Sequence, residues 1–200
     1  MKILLIGASG TVGTAIEQEL GPRHELIRAG RSHGDVRVDI TDPASISGLY
    51  RKVGTVDAVI CAAGQVVFKA LTEMTPEDFE LGLRNKLMGQ VNLVMLGQAA
   101  LNDGGSFTLT SGILSEAPIA SGASAALVNG ALDAFVRGAA IELPRGLRVN
   151  SVSPTVLVEA LPSYGPYFRG FKPATGADVA LAYARSVEGR QTGQTYRVGY

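Results

Sequence analysis

Lys2–Gly13 reads KILLIGASGTVG. Its first part is a short continuous apolar run, the pattern of a strand covered on both faces. Its second part places Gly7, Gly10 and Gly13 where the strand must turn into a helix through Leu20, before Gly21-Pro22 stops it. Glycines there permit a tight turn and let backbone N–H groups approach a phosphate at the positive end of the helix. Gly7, Ser9, Gly10, Thr11, Val12 and Gly13 are therefore candidate phosphate-cradling residues. A bare turn holding nothing is the competing reading, and the position directly after the first strand favours the cradle.

Working outward, the same alternation repeats along the chain. Glu25–Arg28, Val36–Asp39, Val56–Cys61, Ser106–Thr110, Leu147–Val152 and Thr195–Val198 read as further strands. Between them lie helical stretches. One is opened by Asp42-Pro43, and another, from Thr75-Pro76-Glu77, runs to about residue 101. An Ala-rich helix spans roughly Gly122 to Leu143, and a last one Ala177 to Val187. Strands alternating with helices of ten or more residues imply right-handed crossovers and a mostly parallel sheet. The expectation is one doubly wound α/β domain over residues 1–200, with helices on both faces. Within it, the irregular, aromatic and Pro-rich segment 155–175 is a candidate lid.

Composition narrows the function. The 200 residues are 46% hydrophobic and only 18% charged, which excludes a disordered chain. Eighteen basic residues balance eighteen acidic ones, against a nucleic-acid or membrane-surface partner. The single cysteine, Cys61, permits no internal disulfide and suits a reducing compartment. No stretch approaches a membrane span, and MKILLI is too short for a signal-peptide core, so a cytoplasmic protein is expected. His24, His33 and Cys61 have no metal-ligand spacing, and neither a G-x-S-x-G elbow nor a P-loop is present.

The end of the second strand discriminates between dinucleotides. An acid there bonds the ribose 2′-OH of NAD, whereas an arginine suits the 2′-phosphate of NADP. This chain has IRAGRSHG, with no acid, so Arg31 and Ser32 point to NADP(H) through charge-assisted donors. Asp39, at the next strand end, suits either the adenine amino group or a cap on its own turn.

The glycine loop, AGR at 29–31, VDITD at 38–42, AAG at 62–64, Asn85, TSG at 110–112 and RVNSVSP at 148–154 follow one another in an order and spacing that resembles the short-chain dehydrogenases/reductases over essentially the whole chain. The resemblance implies a Rossmann sheet of strand order 3-2-1-4-5-6-7. It also implies a nicotinamide cofactor held by the glycine loop, Arg31, Asp39, Ala62, Ala63, Gly64 and Pro154. Members of that family use an Asn, a Ser and a Tyr with a Lys four residues on. Asn85 and Ser111 match, but Ser121 stands at the tyrosine position and Ala125 at the lysine position, with a shortened Ser111–Ser121 spacing. A serine hydroxyl is far less acidic than a phenol, so the usual acid is missing.

Candidate catalytic residues are thus Ser111, Asn85 and Ser121, orienting a substrate oxygen while water supplies the proton. Tyr164 or Tyr167, with Lys172, is an alternative source of the acid. Lys86 follows Asn85, and consecutive helical residues diverge by about 100°, so a regular helix that presents Asn85 turns Lys86 away. Two functions follow: an NADP(H)-dependent oxidoreductase on a small carbonyl or alcohol, or a catalytically silent NADP(H)-binding sensor or subunit. The resemblance further implies a homodimer or homotetramer built on the Ala-rich helix and the helix through Asn85–Leu101.

Overall fold

The computed structural model describes residues 1–200. Seven parallel strands form one sheet, β1 (Lys2–Ile6), β2 (Glu25–Gly30), β3 (Val36–Arg37), β4 (Val56–Cys61), β5 (Leu101–Thr110), β6 (Arg148–Pro154) and β7 (Thr195–Val198), in the order β3-β2-β1-β4-β5-β6-β7. The expected topology is therefore present. Strand β1 explains why it sits in the interior. Ile3, Leu4 and Leu5 are fully buried, and each such side chain contributes about 1.5–3 kcal/mol. Leu4 and Ile6 face one core layer and Ile3 and Leu5 the other.

Helices α1 (Thr11–Leu20) and α7 (Gly176–Glu188) cover the Ile3/Leu5 face, with Ile16, Leu20, Val179 and Tyr183 packed into it. Helices α2 (Pro43–Val53), α4 (Met88–Gly97) and α5 (Ala123–Ala140) cover the other. Helix α3 (Pro76–Gly82) runs into α4 through a π turn, Leu83–Leu87, and α6 (Leu161–Tyr164) is a single turn inside the 155–175 segment.

Some boundaries differ from expectation. The long helix ending near residue 101 is interrupted by the π turn and closes in a 3₁₀ turn at Gln98–Ala100. Strand β5 begins at Leu101 rather than Ser106, because Leu101 still pairs with Val56 before the register shifts and Ser106 meets Ala58. Strand β3 keeps only two of four expected residues, since Asp39 turns the chain by accepting from Thr41 N at 2.9 Å. Helix α5 ends at Ala140, leaving Ile141 87% exposed.

Candidate active site

The carboxyl ends of β1, β2 and β4 open into a cleft of about 240 Å³ lined by Gly7, Ser9, Arg31, Ser32, Asp39, Ala63 and Gly64. Gly7 has φ +86°, and a Cβ there would meet the Ala62 backbone at 2.9 Å. Both constraints require glycine. Gly10 caps α1 without a side-chain bond, and the first intrahelical bond runs from Thr14 N to Gly10 O at 2.8 Å. The N–H groups of Thr11, Val12 and Gly13 are left without partners at the positive helix end, a donor set that fits an anionic diphosphate.

Of the two arginines at the end of β2 and just beyond it, only Arg31 lines the cleft, and their surroundings separate them further. Arg28 is consumed by Glu17, with Nε–Oε1 at 2.7 Å, and by Asp35. Arg31 has no ion pair. Asp39, in the same lining, is held below the usual carboxylate range mainly by the Thr41 hydroxyl and backbone N–H, with a smaller pull from Arg31. Asp39 Oδ1 serves its own turn, receiving Thr41 Oγ1 at 2.7 Å, while Oδ2 has no protein partner. Ile40, Gln65, His33 and Asn85 also line the cleft.

Gly64 belongs both to this cleft and to a second cavity, also about 240 Å³, beside the ends of β5 and β6. Ser111, Gly112, Asn129, Pro154, Thr155 and Lys86 form its polar side. Val66, Phe68, Leu157, Tyr164 and Phe168 form its apolar side. Phe68 stacks on Tyr164 at 5.6 Å and Tyr167 at 5.7 Å, so the two tyrosines pack as a lid wall; only Tyr164 reaches the cavity. Ser111 Oγ, Asn129 Oδ1 and Thr155 Oγ1 are buried with no partner. Orphans of this kind cost about 1–3 kcal/mol each, and three around one cavity fit a site meant for a polar group.

The structure brings Ser111 to this cavity but not Asn85 or Ser121. Asn85 accepts from Gln65 N at 2.9 Å and lines the dinucleotide cleft. Ser121 precedes α5 with φ +63°, its carbonyl accepting from Lys69 N, and lies outside the cavity lining. The pair four apart on α5 that faces the cavity is Ala125 and Asn129, one turn later than Ser121 and Ala125.

Lys86 is the residue that sequence reasoning missed. The π turn presents Asn85 to the cleft and Lys86 to the cavity, where Nζ donates to Ser111 O at 3.1 Å. Burial pushes the Lys86 ammonium down to about 8, against the pull of Asp133 and Cys61. Burial also raises the Cys61 thiol to about 12, which keeps it inert. No sequence pattern flagged the π turn, and Lys86, one of several polar residues in this stretch, carried no signal of its own.

A seven-stranded parallel sheet with a glycine turn after β1 and a cleft at the strands' carboxyl ends defines a Rossmann-like α/β domain. The chain belongs to the short-chain dehydrogenase/reductase family: the family model described as enoyl-(acyl carrier protein) reductase matches residues 10–195. The solved structure of the protein lin1944 from Listeria innocua is 54% identical, with a TM-score of 0.97 over 98% of each chain. A small-chain dehydrogenase solved in complex with NADPH is 25% identical, with a TM-score of 0.89 over 99% of this chain and 96% of that one. Versicolorin reductase 1 of Aspergillus parasiticus is 28% identical over 76% of this chain and 67% of its own length. Tetrahydroxynaphthalene reductase PfmaG of Pestalotiopsis fici is also 28% identical, over 58% of this chain. The chain spans only 50% of that second reductase.

Proposed function

We propose that the protein is an NADP(H)-dependent oxidoreductase acting on a small carbonyl compound or the corresponding alcohol. The observation that carries this reading is the pairing of two neighbouring spaces that share Gly64 in their linings. One is a cleft lined by an arginine without an ion pair and by the glycine turn that leads into an uncapped helix; the other is a cavity where the Ser111 hydroxyl has no partner. The small-chain dehydrogenase solved with NADPH supports the choice of cofactor.

When bound, the reduced nicotinamide supplies a hydride. Arg31 and Ser32 hold the 2′-phosphate, and the free N–H groups of α1 hold the diphosphate. Gly7, Ser9 and Gly10 shape the turn, with Ala62, Ala63 and Gly64 across from it. Asp39 Oδ2 would accept a hydrogen bond from the adenine amino group, and Pro154 would contribute to holding the nicotinamide. Ser111 Oγ donates to the substrate oxygen, and the wall of Phe68, Tyr164 and Phe168 excludes water. Apolar walls suit an aromatic substrate, in keeping with the naphthalene that the P. fici relative's name specifies.

Calorimetric titration tests the cofactor. NADPH binds tightly and NADH weakly; Arg31→Ala costs NADPH about 10–100-fold in Kd, the worth of one charge-assisted contact, and leaves NADH unchanged. A preference for NADH in the unaltered protein removes Arg31 from its role. Ala125, which supplies no acid at the cavity wall, favours a second reading as a silent NADP(H)-binding sensor or subunit. Loss of NADPH absorbance with a carbonyl acceptor separates the two.

No helix is long and apolar enough to cross a membrane. A cytoplasmic location is the proposal that fits the unpaired cysteine.

A further inference from the structure

The oxidoreductase reading leaves one group unassigned. In a carbonyl reduction the substrate oxygen must gain a proton, and Ser111 cannot provide one cheaply. The cavity holds two side chains with an acidic proton, the Lys86 ammonium and the Tyr164 phenol. Tyr164 sits on the exposed lid wall, 42% accessible, with its ring engaged by Phe68. Lys86 sits against Ser111, the residue already aimed at the oxygen.

Several features hold Lys86 there. The π turn over Leu83–Leu87, closed by Met88 N donating to Leu83 O, widens the helix by one residue just where Lys86 enters the cavity lining. Buried Gln90 donates to the carbonyls of Lys86 (3.1 Å) and Thr110 (3.0 Å) and accepts from Thr110 N, tying the turn to the strand that carries Ser111. The lysine stem lies on Gly64: a Cβ there, at φ +155°, would come within 2.7 Å of Lys86 Cγ. The glycine that borders the dinucleotide cleft is thus also the floor for this side chain.

We propose that Lys86 is the proton-donating catalytic residue of this site, taking the place of a phenol. The inference rests on the oxidoreductase reading above. As hydride from the reduced dinucleotide adds to the carbonyl carbon, the C=O π pair moves to oxygen. That oxygen takes a proton from the Lys86 ammonium while Ser111 Oγ holds it. The products are the alcohol, the oxidised dinucleotide and a neutral amine, which regains its proton from water. An ammonium held near pKa 8 by burial is close enough to neutrality to give its proton and take it back. The groups that face it are the Asp133 carboxylate from α5, the Cys61 thiol from β4 and the Tyr164 phenol from the lid. Asp133 is itself held by Ser115 and Ser151.

Because the folded form disfavours the charged amine, the ammonium is present below about pH 8 and lost above it. Reduction therefore slows as pH rises through 8, and alcohol oxidation, which needs the free amine, accelerates.

The test begins without turnover. The protein has five lysines, and side-chain NMR of isotopically labelled lysine, with Lys86→Met identifying the signal, follows each amine through pH. Lys86 titrates near 8; a Lys86 signal that titrates at the ordinary lysine value of about 10.4 overturns the proposal.

Turnover follows, with NADPH and benzaldehyde or cyclohexanone as probes. Lys86→Met lowers kcat by about 10²–10⁴-fold, leaves the NADPH Kd within threefold, and abolishes the limb at pH 8. Lys86→Arg stays slow, because its proton is held too tightly. Full kcat in Lys86→Met with NADPH still bound overturns the proposal alone, and collapse in Tyr164→Phe instead assigns the acid to the lid. Failure of the unaltered protein to bind NADPH, or to reduce either probe, overturns the oxidoreductase reading and this proposal with it.

Discussion

Ser111 is gripped by its backbone and by nothing at its hydroxyl. Its N–H donates to Val152 O at 3.0 Å and its carbonyl accepts Lys86 Nζ, while Oγ is buried without a partner. A side chain that stabilises nothing can be removed without structural loss. Ser111→Ala is expected to leave urea unfolding unchanged or raise stability by up to about 1 kcal/mol, while slowing turnover by about 10²-fold. A matching loss in both measurements would make the serine structural. Gly64→Ala acts oppositely: its φ and the Lys86 stem both resist a methyl group, so stability falls by about 1–3 kcal/mol and the lysine leaves its place. Calorimetric unfolding and the Lys86 titration together check this. At this scale the sequence was partly legible. Arg31 and the glycine loop are legible because the roles proposed for them depend on neighbours within a few positions. Ser121 misled because the α5 face presented to the cavity is set by how the helix docks, one turn later than a fixed motif spacing implied.

Among the elements, α4 shows how packing and chemistry share one helix. Its Gly97 lies under the Tyr50 ring of α2, whose hydroxyl donates to Leu93 O at 2.7 Å. A Cβ at Gly97 would run into that ring, so Gly97→Ala is expected to cost about 1–3 kcal/mol by overpacking, read from the urea midpoint at constant m-value. Gln90, one helical turn beyond Lys86, has a different task. Gln90→Leu strands the Thr110 N–H and two carbonyls in the interior, a loss of about 2–3 kcal/mol, and loosens the π turn enough to return the Lys86 titration toward an ordinary lysine. Unfolding and lysine NMR on the same variant separate the two effects. The helix itself was legible from its capping residues and apolar content. Its π turn was not, because one extra residue in a turn leaves the average periodicity almost unchanged.

For the whole molecule, the outer faces of α4 and α5 carry Met95 at 58%, Leu127 at 48% and Leu96 at 40% exposure. Such apolar surface on two adjacent helices supports the proposed homodimer or homotetramer. Sedimentation at micromolar concentration is expected to give a dimer or larger, and Met95→Glu with Leu127→Glu to shift it to monomer without loss of NADPH binding. A monomer in the unaltered protein removes the oligomer. The sequence by itself determined the alternation of strands and helices and the mostly parallel sheet, while its strand order was legible only through the family resemblance. The alternation follows from local periodicity and turn chemistry, and the candidate cofactor residues from motifs lying a few residues apart at strand ends. Only the tertiary structure decided the second cavity, which the proposed function makes the catalytic one. Ser111 and Thr155 follow the ends of β5 and β6, Asn129 sits on α5 and Lys86 in the α3–α4 junction. Their convergence depends on helix docking and on a single widened turn, energies of long-range packing that no stretch of sequence carries alone.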